Sequence, residues 1–594
     1  MYFLLLIPIL LFGNCDSSYE DPDKLTCSAF SIDEGSFTSA CCSYGSSFDM
    51  FDSFRDGVDK NISTKIIAEN FDINITADYE GYICTRVVAE NNSTWIKDDF
   101  NQTKIVTLKT DFISQDAQIQ IKYDQSDFNC TDDLPTQKST EHFAIRPLKF
   151  FIDSVDEVKV GEEFDIEYFA FDKDNNKSKD YNESSSKLIE IYDVKNCNQG
   201  TFSPDITVFD FKDGNYSFNG VKYDDVGEIK ISLREQSCSD AYASIDCNDK
   251  NVSAWTTADV LIREYNKTIT FKPYKFSVVV ESNSTRHKDL DFTFLSDPRK
   301  DSSEVTIFDF NITAMSKDDK VLTNYNKECY AKDFEVKIEK DNIENNLSKI
   351  IYYIENNSTL LEENKNDNII ETLSKDYFKT DSNGTALFKI GFNFNRTSEI
   401  PISAFKFDSN ITVTDTDNVY GEINNIESIF FYGRFHALAI KTNKNEVKTS
   451  VDLIVYCENS SLCTGQERLI DWKTIDIDEN EIFDTNVSSN YKLDSIIDVD
   501  VSEVKNDNFE FTIKNDKKLS GIVHFKTPNY FWYSFGVSSS YSYENNSSCI
   551  NHNCFEYIFE DDSDKTISSG DYKGGDIDVK SRGKYQRKGV KVFR

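Results

Sequence analysis

The stretch "EEFDIEYFAFD", Glu162 to Asp172, places Phe164, Ile166, Tyr168 and Ala170 at alternate positions. Side chains of a strand alternate between faces, so this spacing puts all four on one buried face. "EIKISLRE" does the same with Ile229, Ile231 and Leu233, and "DVLIREY" (259–265) and "KFSVVVES" (275–282) follow suit. Period-two patterns rich in β-branched and aromatic residues predict half-buried strands. Helical periodicity is scarce. Its strongest candidate lies within Thr359 to Phe378, interrupted by Asn-Asp. The expected fold is all-β, as tandem Ig-like β-sandwich domains.

Composition supports packed cores. Of 594 residues, 39 % are apolar, with 46 Phe and 30 Tyr, so this is no disordered acidic chain. The formal charge of −38 argues against a nucleic-acid partner, which needs a basic surface. The run Tyr2 to Phe12 in "MYFLLLIPILLFGNC" is too short to span a bilayer and predicts a signal peptide over residues 1–15. Cys15 is either the last residue removed or a lipidation point. No later run is apolar enough for a transmembrane anchor.

An exported chain keeps disulfides. Among 14 cysteines the close pairs Cys238/Cys247, Cys457/Cys463 and Cys549/Cys554 are candidates. Zinc fits "CINHNC" (549–554) less well, because no second ligand pair follows at finger spacing.

Asparagine sequons carry an unexpected phase. Of 23 Asn-x-Ser/Thr sites, 18 have an acid two residues before the asparagine, against about four if the 103 acids fell independently. They are Asn61, Asn74, Asn92, Asn101, Asn129, Asn176, Asn182, Asn215, Asn251, Asn266, Asn283, Asn311, Asn346, Asn357, Asn383, Asn410, Asn486 and Asn546. Asp-x-Asn is also a good turn, but a turn does not require the hydroxyl two residues on. The frame resembles the extended bacterial N-glycosylation sequon, Asp/Glu-x-Asn-x-Ser/Thr. That resemblance implies an epsilonproteobacterial-type oligosaccharyltransferase as modifying partner. Glycans then mark exposed loops and turns, with the strands between them.

A divergent repeat organises the middle of the chain. "IRPLKFFIDS" (145–154) resembles "FKPYKFSVVVES" (271–282), and Phe164, Ala170 and Tyr181 recur as Phe308, Ala314 and Tyr325. A third copy is expected to open at "FYGRFHALAIKTN" (431–443). The expected division is a signal peptide (1–15), an N-terminal Cys-bearing β domain (16–141), a β-sandwich (142–269), a β-sandwich with an insertion (270–430), and a C-terminal β domain (431–594). The last ends in a basic tail, Lys580 to Arg594, with seven basic and no acidic groups. The simplest expectation for that tail is a solvated final strand; the alternative is pairing with an acidic face.

Chemistry-bearing motifs are sparse. "DKDNNKSKDYNE" (172–183) spaces oxygens as a calcium loop does, at Asp172, Asp174, Asn176 and Glu183 among others. Lys177 replaces the glycine that such a loop needs, so calcium is a weak candidate beside a polar hairpin. His142, His287, His436, His524 and His552 lack metal-ligand spacing. No hydrolase, zinc-protease or phosphate-loop motif occurs. The expectation is no catalytic residue, no cofactor and no metal.

The ordered set Phe143 to Pro147, Gly161 to Phe164, Asp172 to Asn176 and Tyr181-Asn182 carries a family resemblance. So do Tyr223/Val226/Gly227, Gly433 to Phe435 and the closing "GKYQRKGVKVFR". Together they resemble the C-terminal β-sandwich region of the mannose-sensitive haemagglutinin (MSHA) type IV pilus biogenesis protein Q family, the MshQ-like proteins. Residues 16–141 depart from it, supplying no clear lectin-like sandwich. The resemblance implies pilus or cell-envelope partners and a location in the periplasm, at the cell surface or outside the cell. The expected role is therefore non-catalytic: pilus biogenesis or adhesion. The alternatives are a secreted carbohydrate-active enzyme on a β scaffold, and a structural surface-layer or outer-membrane-associated protein.

Overall fold

The computed structural model describes most of residues 48–474, with short gaps, and beyond them the strand segments 503–507, 510–514, 520–525 and 553–559. The signal stretch 1–15 and the basic tail 580–594 lie outside the described residues. The fold is all-β, a series of paired sheets. The chain divides into two compact units, residues 1–272 and 273–594.

The first unit opens with β1 (Asp49–Asp52), β2 (Lys65–Ile66), β3 (Asn70–Val88) and β4 (Ile96–Lys109). It continues with β5 (Ser114–Asp124), β6 (Thr136–Lys138) and β7 (Phe143–Arg146), and these seven form one sheet. Its sandwich follows: β8 (Lys149–Ser154), β9 (Glu157–Lys159), β10 (Phe164–Phe171) and β11 (Ile189–Asp193). Then come β12 (Phe202–Ser203), β13 (Asn215–Tyr223), β14 (Gly227–Leu233) and β15 (Tyr265–Lys272). One layer runs β12-β13-β10-β8 and the other β11-β14-β15-β9. Phe164, Ile166, Tyr168 and Ala170 are buried together, as their alternation predicts, opposite Ile229, Ile231 and Leu233.

The segment before β15 is not the strand that "DVLIREY" predicts. Thr257–Val260 forms a short helix, α2, and the strand begins at Tyr265. The reason is tertiary: Val260 packs with Ala144 and Ala243 under a loop closed by Cys238 and Cys247. A short helix in that loop, α1 (Ile245–Asn248), carries the buried Asp246. The Asp246 carboxylate accepts from the Ala144 amide (2.9 Å) and the Thr64 hydroxyl (2.5 Å). The loop thereby holds the N-terminal sheet to the sandwich within this unit. Beside it, burial pulls the Arg146 guanidinium down to about 10 and pushes the Glu235 carboxyl up. Glu235 is held by the Tyr242 and Ile262 amides, both at 2.7 Å.

The second unit repeats the sandwich at larger size. Its strands are β16 (Lys275–Ser284), β17 (Phe292–Phe294), β18 (Thr306–Met315), β19 (Phe334–Lys340) and β20 (Lys349–Ile354). Next come β21 (Asn357–Asn364), β22 (Ile369–Leu373), β23 (Thr385–Phe394), β24 (Phe405–Asp415) and β25 (Tyr420–Phe431). The layers are β16-β18-β23-β20-β21 and β17-β25-β24-β19-β22. The helix expected within Thr359 to Phe378 is overturned: the stretch supplies β21 and β22, one to each layer. Sheet edges to be completed override a weak helical period. After β25, Gly433–Ala437 pairs with Glu446–Tyr456, over a core containing Tyr432 and Trp472.

The sequence repeat is a repeat in register. Phe150 opposes Ala170 in one sandwich, and Phe276 opposes Ala314 in the other. In each, a left-handed glycine accepts from the alanine: Ala170 N–H to Gly214 (2.8 Å), Ala314 N–H to Gly384 (3.0 Å). The two glycines lie at φ 79° and 72°. A Cβ there would strike the Ser178 or Leu322 carbonyl, so only glycine closes these hairpins. Tyr181 and Tyr325 then plug the same position, against Phe150 and Phe276.

Candidate functional site

The sequons fall into two geometries. Asn92, Asn129, Asn176, Asn182 and Asn383 lie exposed in loops, turns or an isolated bridge. Asn74, Asn101, Asn266, Asn311 and Asn410 instead lie within strands β3, β4, β15, β18 and β24, and Asn215 opens β13. The expectation that sequons mark loops is therefore corrected for these six. The physical reason is a shared period. Acid, asparagine and hydroxyl stand two residues apart, which is the repeat of a strand. In β18, Phe308, Phe310 and Ile312 are buried while Asp309, Asn311 and Thr313 take the other face. The same division holds for Phe71/Ile73/Ile75 against Asp72/Asn74/Thr76, and for Phe407/Ser409/Ile411 against Asp408/Asn410/Thr412. In these strands, alternation accounts for the two-residue spacing of the polar groups.

Asn311 sits on an interior strand of its sheet, between Val279 of β16 and Leu387 of β23. Those two apolar side chains are 49 % and 65 % exposed. They line, with Glu281, Asp309, Asn311 and Lys389, a shallow groove of about 380 Å³. Asp309 pairs across the strands with Lys389 at 3.2 Å, and further along the same strand pair the Thr313 and Thr385 hydroxyls meet at 3.1 Å.

The loop sites differ. At Asn92, Asn129 and Asn182 no alternation operates, yet Glu90, Asp127 and Asp180 still precede the asparagine by two. Among the described residues, none of these carboxylates accepts from the amide of its own sequon asparagine, so the acid does not build an Asx-turn there. Asp127 pairs with Lys97, and Asn129 is held instead by Asp132. The Asn182 amide donates to the Asp180 main-chain carbonyl and accepts from Asp213 N–H. Asn176 is a different case, because its sequon hydroxyl, Ser178, is wholly buried. Asn61, Asn251, Asn346, Asn486 and Asn546 lie outside the described residues, and Asn283 and Asn357 fall in strands whose side chains there are not described.

The weak calcium candidate does not assemble. Asp172 is buried and holds the Asn176 amide (2.8 Å), Asp174 faces Lys109 (3.5 Å), and Glu183 takes the Gln115 amide (3.1 Å). The loop is a polar hairpin, and no group of three metal-binding side chains occurs among the described residues. The structure joins Cys238 to Cys247 and Cys457 to Cys463. Cys549 lies outside the described residues, as does the side chain of Cys554. A further bond, Cys84–Cys130, spans 46 residues and carried no sequence signal, since only the pairing of β3 with β5 brings the two near. Among the described residues no cysteine is free, which is the chemistry of an oxidising compartment and an exported chain. No helix among them is long and apolar enough to cross a membrane.

Comparison with known proteins adds one family domain. Residues 270–428, the second sandwich, match the third domain of DUF6701. No curated protein matches. Solved structures with some likeness include an Escherichia coli alpha-2-macroglobulin at 9 % identity, TM-score 0.16, covering 68 % of this chain and 35 % of that one. The chain thus spans about a third of the macroglobulin's length. The major pilin subunit of Bacillus cereus shows 11 % identity and TM-score 0.20, covering 72 % of this chain and 97 % of that one. The BSP domain of a biofilm-associated protein shows 9 % identity and TM-score 0.19, covering 70 % and 81 %. At such TM-scores the likenesses carry no argument about role.

Proposed function

We propose that this chain is an exported, non-catalytic surface protein, N-glycosylated by an oligosaccharyltransferase, that serves type IV pilus biogenesis or attachment. The observation that carries the glycosylation is the loop acid. Glu90, Asp127 and Asp180 recur two residues before exposed asparagines where neither strand alternation nor an Asx-turn calls for them. An enzyme that reads acid, asparagine and hydroxyl together supplies a reason. The pilus link rests on the family resemblance, and the family-domain match at 270–428 lies between two of the motifs that carry it, Tyr223/Val226/Gly227 and Gly433 to Phe435. Tandem sandwiches act by spacing and presenting surface, and disulfides constrain their loops.

The test is peptide mass spectrometry of the sheared surface-appendage fraction of the native host. Peptides of this chain beside pilin, with a glycan mass at Asn129 and Asn182, are the expected result. An unmodified chain confined to the periplasm would sink the proposal.

A further inference from the structure

Resting on that glycosylation reading, we infer that folding divides the sequons into acceptors open in the native chain and acceptors usable only before their strands pair. Transfer forms a bond from asparagine Nδ2 to the first sugar carbon of a lipid-pyrophosphate-linked glycan. The bond from that carbon to pyrophosphate breaks, the amide loses one proton, and the lipid pyrophosphate leaves as an anion. An enzyme that requires acid, asparagine and hydroxyl must reach all three side chains at once.

The native chain offers that triplet unevenly. At Asn92, Asn101, Asn129, Asn182 and Asn266 all three residues are exposed. The first, third and fourth are outside regular strands. Asn101 lies on β4, whose only sheet partner among the described residues is β3, beside the register break between Thr76 and Glu80. All five belong to the unit 1–272.

Four sites are closed in different ways. Asn74 lies between β1 and β4, opposite Phe51 and Ile105, and its whole triplet is half-buried. The Asn410 triplet is half-buried too, on β24 between β19 and β25. Asn311 is itself exposed, but Asp309 and Thr313 are half-buried, and the strand is held in a ladder paired on both sides. At Asn176 the hydroxyl of Ser178 is sealed in the core. Freeing the covered groups at Asn74, Asn176 and Asn410, or lifting Asn311 out of its ladder, means opening a core hairpin or sheet, and such openings approach the cost of global unfolding.

The experiment presents the full-length, disulfide-bonded, unglycosylated chain to an oligosaccharyltransferase and its lipid-linked donor. Synthetic peptides spanning the nine sites are treated in parallel, and occupancy is read by mass spectrometry. All nine peptides should accept glycan. The folded chain should accept it at Asn92, Asn101, Asn129, Asn182 and Asn266, with occupancy at Asn74, Asn176, Asn311 and Asn410 at least about tenfold lower, as expected where local opening is rare. Equal occupancy of both groups in the folded chain, with the peptides modified, overturns the inference and leaves the glycosylation reading standing. Failure of all nine peptides overturns the glycosylation reading, and the inference with it.

Discussion

The paired tyrosines of the repeat give a prediction with its own control. Tyr325 and Tyr181 occupy the same place in two sandwiches, yet their hydroxyls meet different surroundings. Tyr325 donates to Asp415 Oδ2 at 2.7 Å, with both residues buried. Asp415 Oδ1 meanwhile takes the Asp417 and Val419 amides, both at 2.9 Å. The Tyr181 hydroxyl is buried and has no hydrogen-bond partner among the described residues. Tyr325→Phe removes a donor from a buried carboxylate, so it should cost about 1.5–3 kcal/mol, the range for a hydrogen bond to a charged group. Tyr181→Phe removes a buried hydroxyl that bonds nothing, and should be neutral or stabilising by up to about 1 kcal/mol. Both changes keep the ring, so packing against Phe276 or Phe150 is held constant. Hydrogen exchange of the full chain across a urea series reads each sandwich separately, through peptides of β10 and β24. Equal losses in both variants, or a larger loss for Tyr181→Phe, would refute the reasoning.

Three further outcomes are expected. Replacing Cys84 and Cys130 by alanine opens a 46-residue closure and should cost about 4 kcal/mol on the loop-entropy relation, read as an earlier urea midpoint for the first unit. Lys65→Met leaves Asp52 buried without its 2.7 Å ion-pair partner and should cost about 3–5 kcal/mol in the same assay. Burial raises the Glu235 carboxyl above its ordinary value of 4.5, so the native chain holds that proton more tightly than the unfolded one. The stabilisation from that proton is complete below pH 4.5 and is lost as pH rises through the folded value. Urea midpoints of the first unit should therefore fall over that window, and Glu235→Gln should flatten the fall; an unchanged slope would exclude Glu235 as its source.

By itself, the sequence determined what is local. Alternation at Phe164 to Ala170 marks a strand because a strand's period is set by the backbone, whatever it pairs with. The repeat was legible for a similar reason: the Ala-to-Tyr spacing encodes one hairpin, and that hairpin is built the same way in both sandwiches. Where partners are distant, local pattern failed. Val260 and Ile262 alternate as a strand does, but α2 ends beneath a disulfide loop that folds back onto Ala144. Thr359 to Phe378 reads as a helix until β20 and β19 supply edges to complete. Cys84 and Cys130 meet only because strands far apart in sequence come together. The sequons show the limit most plainly. Asp-x-Asn-x-Thr is written identically at an open loop and on an interior strand of a sheet, because its spacing is also a strand's spacing. Whether those three side chains face water or are tied to neighbouring strands depends on pairing across long separations, which only the tertiary structure decides.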